Sequence, residues 1–334
     1  MVGFEPNSVQ LTKFEYGFAS ASSGVLTRIV CQPFDVVKIR FQLQLEPIKK
    51  GSAAKYTSIA GAFAQIPREE GARALWKGLI PAQLLSVAFN TSQFVAFEVI
   101  TRNVFPLLPA KLQMPDMKPA THFLCGAMAG CTATAIAQPL DVLRTRFVAQ
   151  GEPRRYTSIS QALVMLIKEE GFLAMYKGLI PTLIQIGPQT GCQFGFYAIL
   201  TSLWAITFAK SEGSLIGPTE SLVCGATAGM SAKAVVYPLD MIKKRLQVQG
   251  FEGARKGFGQ TRHYNGVLHC IADVFKTEGA RGLFKGLAPS LLKSAVASGV
   301  NFCLYEQVCN VFRISHMTGG GGGAGLENKP FSPL

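Results

Sequence analysis

The sequence predicts an all-α membrane protein with six transmembrane helices in three pseudo-symmetric repeats. The first reason is composition: 48% of the 334 residues are hydrophobic and only 16% are charged, which is too apolar for a typical soluble protein of this length. The second reason is that six segments are apolar over the roughly twenty residues that a bilayer core requires. The third is that two motifs recur together three times, about one hundred residues apart, which suits a domain-sized unit repeated around a pseudo-threefold axis.

The six apolar segments are the predicted membrane spans, two in each repeat. They cover roughly residues 14–42, 79–104, 119–149, 179–209, 217–248 and 287–313. The repeats built from them are residues 14–104, 119–209 and 217–313. After the last repeat, the Gly-rich residues 314–334 offer little apolar surface to bury, so we predict a disordered tail there.

Between the two spans of each repeat lies a polar loop of about 30–40 residues that contains a short amphipathic segment. These segments, at 56–68, 156–168 and 264–276, are predicted to be surface helices. The three loops hold most of the Lys and Arg residues, so the positive-inside rule places them in the inner compartment and both termini on the opposite side. The net charge of +13 does not indicate nucleic-acid binding, because the basic residues cluster beside the repeated motifs and form no continuous basic face.

The first repeated motif is a proline followed, within about one helical turn, by an acid and a base. A proline inside a helix removes one hydrogen bond and bends the helix axis, so we interpret the three prolines as hinges. The residues of this motif are, in repeat order, Pro33, Asp35 and Lys38, then Pro139, Asp141 and Arg144, then Pro238, Asp240 and Lys243.

Charged side chains at membrane depth are costly unless they neutralise one another. Around a threefold axis, each hinge acid can reach the hinge base of a neighbouring repeat. The predicted pairs are Asp35 with Arg144, Asp141 with Lys243, and Asp240 with Lys38. Together they would close a ring of ion pairs at the inner end of the spans. The alternative is three independent pairs that reach toward the membrane surface and have no gating role.

The second repeated motif is an aromatic-Lys-Gly element that follows a Glu-Gly pair. It opens the second span of each repeat at the inner surface, where free backbone donors favour anions. Its lysines and glycines are Lys77 and Gly78, Lys177 and Gly178, and Lys285 and Gly286. The triplicated hinge combined with this element resembles the mitochondrial carrier family over residues 14–313.

The resemblance implies a six-helix barrel in the inner mitochondrial membrane, with short amphipathic matrix helices and both termini toward the intermembrane space. It implies alternating access to a central substrate, with the ring of ion pairs as the matrix gate. It also implies that Gln42 and Gln247 brace this ring, whereas Val148 occupies the third brace position. The aromatic-Lys-Gly elements would bind cardiolipin. A monomer is expected, because one barrel needs no partner to form its path.

The family's second gate, on the cytoplasmic side, is an aromatic-acid-x-x-Lys motif, and it is degraded in this sequence. The matching residues are Phe97 and Glu98 in the first repeat, Tyr197 in the second, and Tyr305 and Glu306 in the third. The basic positions of the motif are absent. We therefore expect a weak cytoplasmic gate that depends on hydrogen bonds and on the aromatic residues.

Positions that differ between the repeats are candidates for contacts with an asymmetric substrate. Five residues before the hinge prolines stand Arg28, Thr134 and Lys233, on the same helix face as the hinge acids. A polar stripe also runs along the second spans. It consists of Gln185 and Lys293, then Phe89 and Gln189, and then Gln93, Gln193 and Asn301.

Arg28, Lys233 and Lys293 have no neutralising partner nearby in the sequence. A charge in the middle of a span costs about 2.5–3.5 kcal/mol or more without water or a partner, so an anionic substrate is the simplest explanation. The alternative is that some of these cations face loops or pair with Glu98 or Glu306. Two or three cations suit phosphate oxygens, and a glutamine-rich wall with an aromatic residue suits a heteroaromatic ring. We therefore predict a site for a diphosphate attached to a base-like head group.

Stretches around Arg144, Lys243 and Phe251 are similar to the members of the family that carry thiamine diphosphate into the matrix. The predicted function is that transport, in exchange for nucleotide or other phosphate-bearing anions. The resemblance, rather than the spacing, selects this substrate over a nucleotide or coenzyme A. Those two carriers stay open as alternatives, as does a non-transporting membrane adaptor. The sequence shows no nucleophile-base-acid set, metal-ligand cluster or phosphate-cradling loop, so we expect no enzyme activity, no metal site and no cofactor.

Overall fold

The computed structural model describes residues 11–45, 55–104, 118–208, 217–255 and 262–319. All regular elements within these ranges are helical, as the predicted fold class requires. The α-helices of the described ranges are α1 (Lys13–Leu43), α2 (Ile59–Glu70), α3 (Leu79–Val104), α4 (Lys118–Ala149), α5 (Ile159–Glu170), α6 (Leu179–Phe208), α7 (Pro218–Gln247), α8 (Val267–Glu278) and α9 (Leu287–Gly319).

All six predicted membrane spans form long helices. Helices α1, α3, α4, α6, α7 and α9 contain between 26 and 33 residues. At about 1.5 Å per residue, each is longer than the roughly 30 Å hydrocarbon core of a bilayer. Within the described residues, three stretches are long and apolar enough to cross a membrane by length and composition alone. They are Ala72–Asn103, Glu220–Gln247 and Ala280–His316. The three hinge prolines lie inside α1, α4 and α7, as predicted.

The three predicted amphipathic segments form α2, α5 and α8, each of 12 residues. In α2 the apolar side chains of Ala62 and Ile66 are buried, because residues four positions apart share a helix face. The helix begins later than predicted because the Ser58 side chain caps its N-terminus. Tyr56 stays outside the helix, since the Gln44 side chain bonds both its backbone N–H, at 2.9 Å, and its carbonyl, at 3.0 Å.

The glycine of each aromatic-Lys-Gly element packs against the neighbouring repeat. The φ angles at these glycines lie between 79° and 84°, a region that other residues rarely adopt. A Cβ atom at any of the three would lie 3.1 Å from the carbonyl oxygen of a hinge base. The contacts are Gly78 with Arg144, Gly178 with Lys243, and Gly286 with Lys38. Each repeat therefore packs on the next through its second motif.

The chain divides into two compact parts. The described residues of the larger part, which spans 31–296, form three hydrophobic clusters, which include Tyr56, Tyr156 and Tyr264 respectively. The smaller part comprises the described residues 11–30 and 297–319. Leu11, Ala19 and Cys309 form its core.

Helix α9 extends beyond residue 313, where the third repeat was predicted to end. It continues to Gly319, so the predicted start of the tail at 314 is too early. The additional turn is held by His316, whose ring nitrogen lies 2.6 Å from Glu15 Oε1. The remainder of the predicted tail, from residue 320, lies outside the described residues.

Candidate functional site

The three predicted ion pairs are present, and they join α1, α4 and α7. The pairs, with their nitrogen-to-oxygen distances, are Arg144 and Asp35 at 2.6 Å, Lys243 and Asp141 at 2.9 Å, and Lys38 and Asp240 at 2.6 Å. We call these six residues the ion-pair ring. Their side chains are at most 16% exposed, so the charges face each other in a poorly hydrated setting. The pairing is therefore confirmed, whereas the role of the ring as a matrix gate stays a proposal.

Asp240 has one cation and one amide as partners in the ring. The Gln42 side chain donates from Nε2 to Asp240 Oδ2 at 3.2 Å and to the Tyr237 hydroxyl oxygen at 3.0 Å. The Tyr237 hydroxyl in turn donates to the Lys285 carbonyl at 2.8 Å. Gln42 thus occupies the predicted brace position and is itself held by a buried tyrosine.

Asp141 has two cations and one amide as partners. Besides Lys243, the buried Lys244 places its Nζ 3.0 Å from Asp141 Oδ1, and Gln247 donates to Asp141 Oδ2 at 2.7 Å. Sequence reasoning did not identify Lys244 as a site residue. A comparison of the repeats contains the signal, because Ile39 and Thr145 occupy the equivalent positions.

Asp35 has two cations and no amide partner from the brace position. Arg144 holds Asp35 Oδ2, and Lys293 of α9 places its Nζ 2.7 Å from Asp35 Oδ1. The expectation that Lys293 lacks an acidic partner is therefore wrong, as is the alternative that it pairs with Glu98 or Glu306. Its partner belongs to a different repeat, and sequence proximity cannot show such a contact. The Lys293 side chain is still 27% exposed.

Lys233 lies beside Lys293 in the larger part of the chain. Its Nζ donates to the hydroxyl of Ser294, the residue after Lys293, at 3.3 Å. The ion-pair ring contains three cations and three carboxylates. Lys233, Lys244 and Lys293 lie beside it and add three further cations. This cluster therefore carries a surplus of three positive charges.

Six further predicted substrate residues lie on three helices of the larger part, α3, α4 and α6. The Gln185 amide donates to Gln189 Oε1 at 3.1 Å, so these two side chains share a face of α6. Thr134 is buried and donates to the Gly130 carbonyl of its own helix at 2.7 Å. Phe89 and Gln93 are half-buried on α3, and Gln193 is exposed on α6. Their contact with a substrate stays a prediction.

Two predicted substrate residues belong to the smaller part of the chain. Arg28 is half-buried on α1. The neighbouring Thr27 hydroxyl lies 3.4 Å from Asn301 Oδ1 on α9. The roles of Arg28 and Asn301 in substrate binding also stay predictions.

A second set of charges, which the sequence did not lead us to predict, repeats three times beside the ring. In each repeat an arginine seven residues after the hinge proline forms a bidentate pair with the glutamate of the Glu-Gly motif, and the lysine of the aromatic-Lys-Gly element bonds the same glutamate. These charge triads are Arg40, Glu70 and Lys77, then Arg146, Glu170 and Lys177, then Arg245, Glu278 and Lys285. The sequence did contain a signal for these triads. An arginine, a glutamate and a lysine of complementary charge recur with the two motifs in every repeat.

The triads have consequences for Glu70 and Glu170, which lie outside the predicted membrane spans. Burial alone would raise the pKa of each carboxyl, but the hydrogen bonds from Arg40 and Arg146 outweigh it, with help from Lys77 and Lys177. The pKa of both glutamates is therefore held below its ordinary value, and both carry a charge at neutral pH.

The lysines predicted to bind lipid are already engaged with protein partners. Lys77 is 4% exposed and bonds Glu70, and it also lies 3.4 Å from the carbonyl of Gln150 in the next repeat. Lys285 is 7% exposed and bonds the Leu45 carbonyl at 2.7 Å as well as Glu278. Lys177 bonds Glu170 and the Gln249 carbonyl, but it is 30% exposed, so the three lysines are not equally enclosed. Their role in lipid binding stays a prediction.

The two acids of the predicted cytoplasmic gate differ from the acids of the ion-pair ring in exposure and in pairing. Glu98 and Glu306 are exposed, and neither forms an ion pair with a residue that the structure describes. Phe97 and Tyr197 are 37% and 36% exposed. Tyr305 is half-buried against the hydrophobic cluster of the smaller part. Their gating role stays a prediction.

The fold and the site define a triplicated membrane carrier, and comparison with known proteins gives the same class. The family of mitochondrial carrier proteins matches residues 10–106, 115–206 and 215–316. The chain therefore belongs to that family, and it is a carrier rather than an enzyme. The sequence-based resemblance to this family is confirmed.

Several members of the family are similar to this chain over almost their full length. The mitochondrial thiamine pyrophosphate carriers of Bos taurus and Homo sapiens are both 46% identical to it, over 93% and 95% of this chain and 98% and 99% of the relative. Mitochondrial thiamine diphosphate carrier 1 of Zea mays is 35% identical over 92% of this chain and 96% of its own length.

Proposed function

We propose that this chain carries thiamine diphosphate across the inner mitochondrial membrane into the matrix. Transport would proceed by alternating access, in exchange for nucleotide or other phosphate-bearing anions. The names of the similar proteins from Bos taurus, Homo sapiens and Zea mays support the choice of substrate. The excess of Lys and Arg in the loops within the repeats supports termini that face the intermembrane space. The protein would act as a monomer.

The observation that carries the proposal is the pair of like charges on Lys233 and Lys293. Lys233 bonds Ser294, the residue that follows Lys293, so the two like charges lie close together. Among the described residues, Asp35 is the one carboxylate bonded to either of them. Confined like charges favour an anionic ligand, and the several oxygens of a diphosphate can bond both lysines at once. Binding of a diphosphate would thus remove a repulsion that the protein alone leaves in place.

The contact between Lys293 and Asp35 supports a mechanism that couples binding to gate opening. A diphosphate oxygen would compete with Asp35 for Lys293. Once Lys293 binds the substrate, Asp35 would keep Arg144 as its bonded cation among the described residues, and the ring would be weakened where it joins α1 to α4. A ligand shifts a conformational equilibrium only through its differential affinity for the two states, and this exchange of partners supplies such a difference.

The head group would be recognised by the amide-bearing face of α6. The aminopyrimidine of thiamine has donors and acceptors on one edge, which suit the side-chain amides of Gln185 and Gln189. A nucleotide or coenzyme A carrier is the second candidate, because the surplus positive charge accommodates their phosphates equally well. A nucleotide site should depend less on these two glutamines.

A cavity of about 580 Å³ supports a site for an anionic lipid such as cardiolipin. It lies between the start of α9 and the N-terminus of α2, and its lining includes Ser58, Arg281, Lys285 and Gly286. A helix N-terminus and an exposed arginine together favour a phosphate. We propose that one phosphate of a lipid headgroup occupies this cavity.

The proposed function is tested by uptake into liposomes that contain the purified protein and are loaded with a nucleotide or another phosphate-bearing anion for exchange. Thiamine diphosphate outside the vesicles should be taken up faster than ADP, ATP or coenzyme A. The Lys233→Met variant should lose most uptake, while Lys168→Met, which changes an exposed lysine on α5, should retain it. Faster uptake of nucleotides than of thiamine diphosphate would favour the second candidate. Equal uptake by empty vesicles would argue against any transport of these solutes.

A further inference from the structure

Lys244 is a buried cation that the repeated hinge motif does not require. It follows the hinge base Lys243, at a position where the other repeats have Ile39 and Thr145. Its side chain is only 7% exposed. A buried lysine at this depth is costly unless its ammonium group is paired and hydrogen-bonded, so the protein must provide a specific environment for it.

The environment of Lys244 is provided by three side chains on α4 and α7. The Nζ atom lies 3.0 Å from Asp141 Oδ1, 3.0 Å from the Thr145 hydroxyl and 3.0 Å from Gln247 Oε1. These partners can accept all three N–H bonds of the ammonium group. Gln247 meanwhile donates to Asp141 Oδ2 at 2.7 Å, so the brace residue bonds both charges of the pair.

A second, independent contact reinforces the same junction between repeats 2 and 3. Phe251, which follows α7, is buried and stacks on Tyr156 of repeat 2 with ring centroids 4.7 Å apart. The Arg146 guanidinium lies 5.3 Å from the Phe251 ring centroid. The backbone N–H of Gly151 also donates to the Ala254 carbonyl at 3.0 Å.

We propose that Lys244 is an additional gate residue, which acts as a second cation for Asp141 and makes the junction between repeats 2 and 3 the most strongly held of the three. The ring would then open unequally, with Asp35 and Arg144 separating before Asp141 leaves its lysines. This inference rests on the proposed role of the ring as a gate. Lys244 does not touch the proposed substrate residues, so it acts through Asp141.

The test compares the loss of a hinge base at two junctions. Among the residues that the structure describes, Lys38 is the cation bonded to Asp240, so the Lys38→Met change leaves that carboxylate with its amide partner Gln42. Replacing Lys243 by Met instead leaves Asp141 bonded to Lys244. Uptake should therefore fall by about tenfold or more in Lys38→Met and clearly less in Lys243→Met. Uptake by the double variant Lys243→Met/Lys244→Met should fall to the level of Lys38→Met. Uptake by Lys243→Met/Lys244→Arg should be higher than in that double variant, because the arginine restores one cation for Asp141.

Thermal unfolding of the purified variants without substrate provides a measurement that does not depend on transport. The double change should lower Tm by more than the sum of the single changes, because each lysine can partly replace the other. If Lys38→Met fails to fold, Lys38→Met/Asp240→Asn removes the unpaired carboxylate and serves as the reference. The inference would be overturned if the Tm changes of the two single lysine variants added up to that of the double variant and if uptake fell equally in Lys38→Met and Lys243→Met. Non-additive Tm changes in a protein that transports no thiamine diphosphate would support Lys244 and argue against the proposed substrate.

Discussion

The surroundings of Asp35 and Asp141 differ although the two residues occupy the same position of the same motif. Asp141 faces Lys243, Lys244 and the amide of Gln247, all on α7. Asp35 faces one base from the next repeat, Arg144, and one lysine from α9. The scaffold is thus threefold, whereas the electrostatic environment is not. The comparison teaches that non-equivalent residues around a repeated motif give each hinge acid a different set of partners.

The comparison is tested most strongly by removing each acid in turn. We expect Asp141→Ala to lower the free energy of unfolding by about 3–5 kcal/mol, because two buried lysines lose their shared carboxylate. Asp35→Ala should cost less, since Lys293 is 27% exposed while Lys244 is 7% exposed, and the better hydrated lysine tolerates the loss. Thermal and denaturant unfolding of the purified variants measures both. A greater loss in Asp35→Ala would show that exposure does not rank the two sites.

The next effect concerns Lys293, which joins the proposed substrate site to the ring. If thiamine diphosphate is the substrate, it should raise Tm, because a ligand stabilises the state that it binds, and Lys293→Met should abolish that rise. It should also lower Tm without ligand, since Asp35 loses one of its two cations. Lys293→Arg is the matched control and should retain part of both effects. A Lys293→Met variant with a full response to the ligand would remove Lys293 from the substrate site.

The third effect comes from adding the amide that the junction of Asp35 lacks. Val148 occupies the position that corresponds to Gln247 and Gln42. Val148→Gln should raise the free energy of unfolding by about 1 kcal/mol, the contribution of one new hydrogen bond to a buried carboxylate. It should also slow uptake by making the ring harder to open. Val148→Leu adds volume without an amide and separates the two causes.

The smallest effect is the response of the charge triads to acid. The pKa values of Glu70 and Glu170 are lowered in the folded protein, so their contribution to stability is fully present above the ordinary value of 4.5 and is lost as the pH falls through the lowered values. We expect Tm to fall as the pH is lowered from 7 to below 4.5. Glu70→Gln should be less stable than the parent at pH 7 and should show a weaker pH dependence. Equal slopes in both proteins would mean that other carboxylates control acid stability.

The repeated motifs allowed a large part of the site to be predicted from the sequence. The pairing of Asp35 with Arg144 was predicted from symmetry, because a threefold arrangement lets each acid reach the hinge base of a neighbouring repeat. The amphipathic helices followed from the spacing of apolar residues such as Ala62 and Ile66. The position of Lys293 on a polar stripe was visible, but its partner was not, since nothing in a repeat comparison relates α9 to α1.

The charge triads are a second set of contacts that was not predicted from the sequence. Arg40, Glu70 and Lys77 were all inside the repeated motifs, yet their mutual contact depends on how α2 folds back onto α1. Glu70 bonds Lys77, whose ammonium group the sequence alone left available for lipid. Only the fold could show which of these charges the protein neutralises itself.

The sequence by itself determined the all-helical fold, the three repeats and the pairs of the ion-pair ring, because those features depend on periodicity, composition and symmetry. The tertiary structure decided which carboxylate receives a second cation, since that depends on the positions of single side chains such as Lys244 and Lys293 after packing. A few ångströms separate a free cation from a paired one at low dielectric, and no spacing along the chain encodes that distance.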